Sequence, residues 1–210
     1  MSRTFLMLCA VALLPFGAAR AQAPSAASRD RTAVTFDEIE RGFFFGVQGG
    51  ARYLLNAPAP SGTRGPFSSG QAAFIEVGYE FGERISVAAF VMASQNRASS
   101  TYTGFSANKA YSGDFSTVVP GANVKFNFLG FDDSQDVKRT WLYVRGGAGL
   151  ALFSPTTILP DPDLMVFAGP GVEYFTRLRH FSVGLESTFT LLARTQSMGF
   201  TVTPNVRYAF

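Results

Sequence analysis

The chain has 210 residues, of which 47% are hydrophobic, 14% aromatic and only 16% charged, with 22 Phe and 21 Gly but one Cys and one His. So few His and Cys residues leave little room for a metal site or for cysteine-based chemistry. The formal charge of +3 includes two arginines of the N-terminal leader; without them 16 of the 18 basic residues oppose 15 acidic ones, and the mature chain lacks the basic surface that nucleic-acid binding requires.

The first segment, residues 1–21, reads as a signal peptide. Arg3 supplies a short positive region, residues 5–16 are mostly apolar, and Ala19-Arg20-Ala21 places small residues at the −3 and −1 positions of a cleavage site. We predict an exported mature chain that begins at Gln22. The single cysteine is removed with the leader, so that chain contains none.

The next segment, residues 22–42, is rich in Ala, Ser and charged residues. This composition predicts a flexible periplasmic lead-in. Two interpretations remain open for it: a processed tail without a role, or a segment that plugs the following domain or contacts a partner.

From residue 43 onwards, apolar and polar side chains alternate, as in a strand with one apolar and one polar face. In the last segment, for example, Tyr208 and Phe210 share one face and Arg207 lies on the other. The alternation predicts eight strands. They lie at about 43–55, 70–81, 85–94, 116–128, 140–152, 164–175, 181–192 and 198–210.

The length of these strands points to a membrane barrel over residues 43–210. Most have about ten to thirteen residues, whereas a tilted membrane strand needs about 9–11 and soluble strands have a mode near 5–6. Short connections (82–84, 176–180) alternate with long ones, although 129–139 is long for a periplasmic turn. A soluble sandwich would also alternate, but it does not explain the leader. We predict an all-β fold, an eight-stranded antiparallel transmembrane β-barrel.

Aromatic residues gather near the predicted strand ends, as in the girdles of outer-membrane barrels. The last strand resembles the C-terminal strand of that class, which ends in Phe with an aromatic residue two positions earlier. The resemblance implies an assembly signal at Val206, Tyr208 and Phe210. The predicted girdle comprises Phe43, Tyr53, Tyr79, Phe81, Phe126, Phe128, Trp141, Tyr174, Phe181, Tyr208 and Phe210.

The polar face of the strands collects eight charged residues. An eight-stranded barrel is just wide enough for side chains to fill it, and buried charges persist only when they are paired. We therefore expect a salt-bridged plug of four basic and four acidic residues; a narrow ion path lined by the same charges is the alternative. The set is Arg52, Glu76, Glu80, Lys125, Arg145, Glu173, Glu186 and Arg207.

No catalytic, cofactor or metal site is predicted. The one histidine, His180, falls in a periplasmic turn, where no Ser and acidic partner can reach it at the outer edge. Asp161 and Asp163 flank a proline in an outer connection, but two carboxylates do not make a calcium site. We predict that the protein is not an enzyme.

As a whole, residues 43–210 resemble the eight-stranded, porin-like outer-membrane barrels, such as the membrane domain of outer membrane protein A. That resemblance implies the bacterial outer membrane as location, with its lipid and the barrel-assembly machinery as partners. Residues 36–53 are also similar to the start of myxobacterial adventurous-gliding-motility barrel proteins, which implies a component of an envelope motility complex. Two function classes stay open: a structural or interaction component that binds envelope proteins through its loops or residues 22–42, and a small channel.

Overall fold

The structure is a computed structural model, and it describes residues 39–55, 67–97, 114–134, 136–154, 161–178 and 180–210. The predicted signal peptide and most of the predicted lead-in lie outside these residues.

Within them, eight strands form a closed barrel in which each strand pairs antiparallel with the next and β8 returns to β1. The predicted fold class is confirmed. Closure pairs the backbone groups of each strand and leaves no sheet edge. The strands are β1 (Phe43–Leu55), β2 (Phe67–Phe81), β3 (Ile85–Arg97), β4 (Asp114–Asp132), β5 (Lys138–Ser154), β6 (Asp163–Phe175), β7 (Phe181–Leu192) and β8 (Ser197–Ala209).

The outward face of the barrel is an apolar belt. Large apolar side chains stay open to the surroundings there, with Val77 56% and Phe189 65% exposed, while the alternate positions are buried inside. Such a belt is unfavourable in water and fits a hydrocarbon environment. In the described part of the chain, no helix is long and apolar enough to cross a membrane.

The first residue of β1 and the last residue of β8 lie at the same end of the barrel, together with the turns 82–84, 133–137 and 176–180. Short turns mark the periplasmic end in this architecture, so we use that name for it and call the opposite end the outer end. Exposed aromatic rings form edge contacts along the periplasmic rim: the Phe43–Tyr79 and Tyr79–Phe81 ring centroids are each 5.0 Å apart. These contacts build one half of a girdle.

Two sequence-based expectations at this end are wrong. The turn expected at 129–139 is shorter, because a bulge between Asn127 and Leu129 lets the β4–β5 ladder continue to Asp132 and Lys138. Trp141, expected in the girdle, is buried inside the barrel, where it donates its indole N–H to the Lys138 carbonyl at 3.1 Å. Its partner across the ladder is a glycine, Gly130, whose missing side chain leaves room for the indole.

The last residues of the chain are fixed on both sides. The Phe210 N–H donates to the Phe43 carbonyl at 2.9 Å, and the Ala209 N–H donates to the His180 carbonyl at 2.7 Å. The His180 ring contacts the Ala209 carbonyl through Nδ1 at 2.8 Å and stacks on Tyr208 at 5.3 Å. His180 thus holds the terminal strand in place.

Deleting Phe210 should sharply reduce assembly of the barrel, because it removes a closing hydrogen bond and the ring that contacts Tyr208 at 5.1 Å. The measurement is the fraction of membrane protein with heat-modifiable migration on gels. The matched control is Phe210→Trp, which keeps both the backbone hydrogen bond and an aromatic ring. Unchanged heat-modifiable protein after the deletion would contradict the proposed assembly signal.

Candidate functional site

The barrel interior divides into two layers. The outer layer is mainly apolar. Its lower boundary, near the barrel's mid-height, is formed by the rings of Phe74, Phe90 and Phe167. The inner layer, nearer the periplasmic end, contains buried charged groups. The apolar layer comprises Leu54, Ala72, Phe74, Phe90, Met92, Phe115, Val119, Ala151, Phe153, Met165, Phe167 and Leu192.

Glu76, on β2, connects two arginines of the inner layer. Its Oε2 accepts from Nη1 of Arg145 at 2.9 Å, and its Oε1 accepts from Nη2 of Arg207 at 3.1 Å. Arg145 also donates through Nη2 to Glu186 Oε1 at 2.6 Å and to Gln48 Oε1 at 3.0 Å. These bonds join β1, β2, β5, β7 and β8 across the barrel.

A second group of contacts surrounds Glu173 on β6. Lys125 donates to its Oε2 at 2.5 Å, and the Ser182 hydroxyl donates to its Oε1 at 2.7 Å. Lys125 also lies 3.8 Å from Glu80, which accepts from Arg207 Nη1 at 2.9 Å. The two groups therefore share Arg207 and form one connected network, as burial of charge requires.

The network contains three of the predicted cations and all four predicted carboxylates. A further cation approaches from the lead-in: Arg41 Nη1 lies 3.9 Å from Glu80, and the guanidinium stands 5.3 Å from the centre of the Phe175 ring. Sequence reasoning missed Arg41, because it precedes the alternating pattern. With Arg41, four cations stand beside the four carboxylates.

Arg52 lies inside the barrel as expected, but the pairing expected for it is wrong. Its side chain is only 1% exposed and reaches into the apolar layer, where Nη1 donates to the Ser94 hydroxyl at 2.8 Å and contacts the Met92 sulfur at 3.5 Å. Its Nε and Nη2 groups make no hydrogen bond, and no carboxylate among the described residues pairs with it. The inward face of a strand does not reveal a residue's height in the barrel.

Polar neutral residues complete the network, and sequence reasoning did not single them out. The Tyr143 hydroxyl donates to Glu186 Oε2 at 3.0 Å, and Asn123 donates to Glu76 at 3.4 Å. Both lie in the inward register, so alternation identified their face. It did not identify their partners, because those come from strands distant in sequence.

The arrangement is suited to holding strands together rather than to a reaction. Asp163, one of the two carboxylates that flank Pro162, is fully buried and accepts from the backbone N–H groups of Arg194 and Thr195 at 2.7 and 3.0 Å. Its carboxylate therefore caps the turn between β7 and β8. Across the described ranges, no cluster of three or more His, Cys, Asp or Glu side chains could hold a metal ion.

Solved structures include barrels of the same kind. Neisserial surface protein A is 16% identical over 79% of this chain and 97% of its own, with a TM-score of 0.55. Ail of Yersinia pestis is 17% identical over 81% and 99%, with a TM-score of 0.43. The outer membrane enzyme PagL is 11% identical over 80% and 99%, with a TM-score of 0.40. No family model matches the chain, and no curated protein matches it significantly.

At these identities the likeness shows the fold alone. Of these three structures, only Neisserial surface protein A has a TM-score above 0.5, so the comparison of folds rests on it. The chain is a small eight-stranded barrel of the outer-membrane type. This fold and its apolar belt together place it in the bacterial outer membrane. The comparisons do not support the resemblance to gliding-motility proteins.

Replacing Arg52 with Met should stabilise the barrel by about 1–4 kcal/mol, because it exchanges an unpaired buried charge for an apolar chain of similar length. The free energy of unfolding in urea, measured in lipid vesicles, checks this. The matched variant Lys125→Met also removes a buried cation, but that cation is the nearest partner of Glu173, which among the described cations keeps only Arg207 at 3.6 Å, so this variant should destabilise by about 3–5 kcal/mol. Equal losses in both variants would contradict the difference between the two layers.

Proposed function

We propose that the protein is a closed, non-conducting barrel that serves as a structural and interaction component of the cell envelope. The observation that carries the proposal is the complete burial of charged groups in the interior. Lys125, Glu173 and Glu186 are each no more than 2% exposed. A water-filled path along the barrel would leave such groups accessible to solvent.

Two layers contribute to this closure. In the apolar layer, the Phe90 and Phe167 rings meet edge to face with centroids 5.4 Å apart, and Arg145 lies below Phe74 and Phe167 at 5.9 and 5.7 Å from their centres. In the inner layer, Arg145 reaches across the barrel from β5 to Glu76 on β2 and Gln48 on β1. An ion would have to displace both an apolar layer and a paired network, so the alternative of a small channel is less favoured.

A surface for protein partners lies at the periplasmic end. A cleft of about 500 Å³, lined mainly by charged residues, opens between the end of the lead-in and two turns. Its charges are mixed, which suits a polar protein segment better than an apolar one. The lining residues include Ile39, Arg41, Glu83, Asp132, Asp136 and Lys138.

We further infer a non-enzymatic role, since the charged side chains of the inner layer pair with one another. Membership of a gliding-motility complex remains a prediction from residues 36–53. The barrel-assembly machinery and outer-membrane lipid are further proposed partners.

Wild-type protein reconstituted in planar bilayers should give no steady ion current, because no continuous water path crosses the two interior layers. Heat-modifiable migration of the same sample shows that the barrel is folded. Steady currents with a reproducible unit conductance would contradict the closed barrel and favour the channel.

A photo-crosslinking amino acid placed at Asp136 or Lys138 should capture an envelope protein in intact cells, because both positions line the periplasmic cleft. Placement at Arg177, in the neighbouring periplasmic turn outside the cleft, is the matched control and should capture it less. Products that contain only lipid or the protein itself would count against an interaction role for this surface.

A further inference from the structure

A groove crosses the lipid-facing surface of β6, β7 and β8 in their outer halves. It has a volume of about 370 Å³ and is predominantly apolar. Ala168 is the smallest outward side chain in it, and it lies beside the large, exposed Phe189 across the ladder. Its lining includes Val166, Ala168, Phe189, Leu191, Met198 and Gly199.

Arg194 lies at the outer end of this groove. The uppermost pair of the groove is Leu191 with Met198, and the turn 193–196 joins the same two strands immediately beyond it. Arg194 is exposed, and its Nη1 donates to the Pro162 carbonyl at 2.9 Å. That bond uses one of five N–H donors of the guanidinium, so it can still bind an anion.

The position of Arg194 is fixed by buried structure. Asp163, with no exposed surface, accepts from the Arg194 and Thr195 backbone N–H groups, and the Ala193 N–H donates to the Leu164 carbonyl at 2.8 Å. These bonds tie the turn to the start of β6. The backbone of Arg194 is therefore fixed at the outer end of the groove rather than carried on a loose loop.

The outer boundary of the lipid belt supports the same location. On β2 to β5 the outward side chains become polar in one row across the strands. On β6 to β8 they stay apolar up to the turn that carries Arg194, so this arginine stands where the apolar face of these three strands ends. The polar row consists of Gln71, Gln95, Ser116 and Ser154.

We propose that the groove and Arg194 bind one phosphate-bearing lipid of the outer leaflet. An acyl chain lies in the groove, and the lipid phosphate accepts hydrogen bonds from the guanidinium. A concavity in the lipid-facing surface is filled by acyl chains in any case, and a fixed arginine at head-group level selects those that carry phosphate.

The test uses the full mature protein in detergent, titrated with lipid A and followed by native mass spectrometry. Wild-type protein should retain one lipid A molecule. Arg194→Gln removes the cation, and Ala168→Leu fills the groove. Each variant should weaken binding about tenfold, which is the effect of losing one charge-assisted hydrogen bond or its equivalent.

Two control variants make the same chemical changes elsewhere: Arg177→Gln at the periplasmic end and Ala89→Leu on the outward face of β3. Both should bind like the wild type. Dephosphorylated lipid A should bind the wild type about as weakly as lipid A binds Arg194→Gln, and inorganic phosphate alone should not compete. Equal binding of the two lipids, or loss of binding in the controls, would overturn the proposal. So would a wild-type dimer that Ala168→Leu dissociates, because a second copy of the chain would then occupy the groove.

Discussion

The structure depends on the ion-pair network of the inner layer. Arg207 comes from the last strand and reaches Glu76 and Glu80 on β2, so it links strands on both sides of β1 at the point where the barrel closes. A slip of one residue in any strand would turn its charged groups toward lipid. The network therefore specifies the register of closure as well as filling the interior, and the belt, the girdle and the outer groove all follow from that register.

Most of the fold could be predicted from the sequence because a barrel wall has a period of two and a fixed span. Alternation identified the strands and the inward face of all eight predicted charges, since every one of them is buried. Trp141 shows what happens when another cue is preferred. It shares the inward register of Tyr143 and Arg145, and its nearness to a strand end was misleading.

The pairing of the interior charges could not be predicted in the same way. Which side chains meet depends on the stagger of the strands around the barrel, and this stagger is a property of the closed sheet. Arg52 and Arg145 share a sequence pattern, yet one lies among apolar side chains and the other among three acceptors. The substitute cation, Arg41, comes from a segment with no alternation at all.

The interior and the outer surface have different consequences for function. The closed barrel that we propose leaves the ends and the lipid-facing wall as the surfaces on which partners can act. The wall is not uniform, because its outward apolar face ends in polar residues on β2 and β3, at Gln71 and Gln95, whereas on β7 and β8 it continues to the turn between them. Arg194 stands at that turn, and the buried Asp163 accepts two of the turn's backbone N–H groups. A buried carboxylate that positions an exposed cation at the lipid surface is better explained by recognition of lipid than by stability alone.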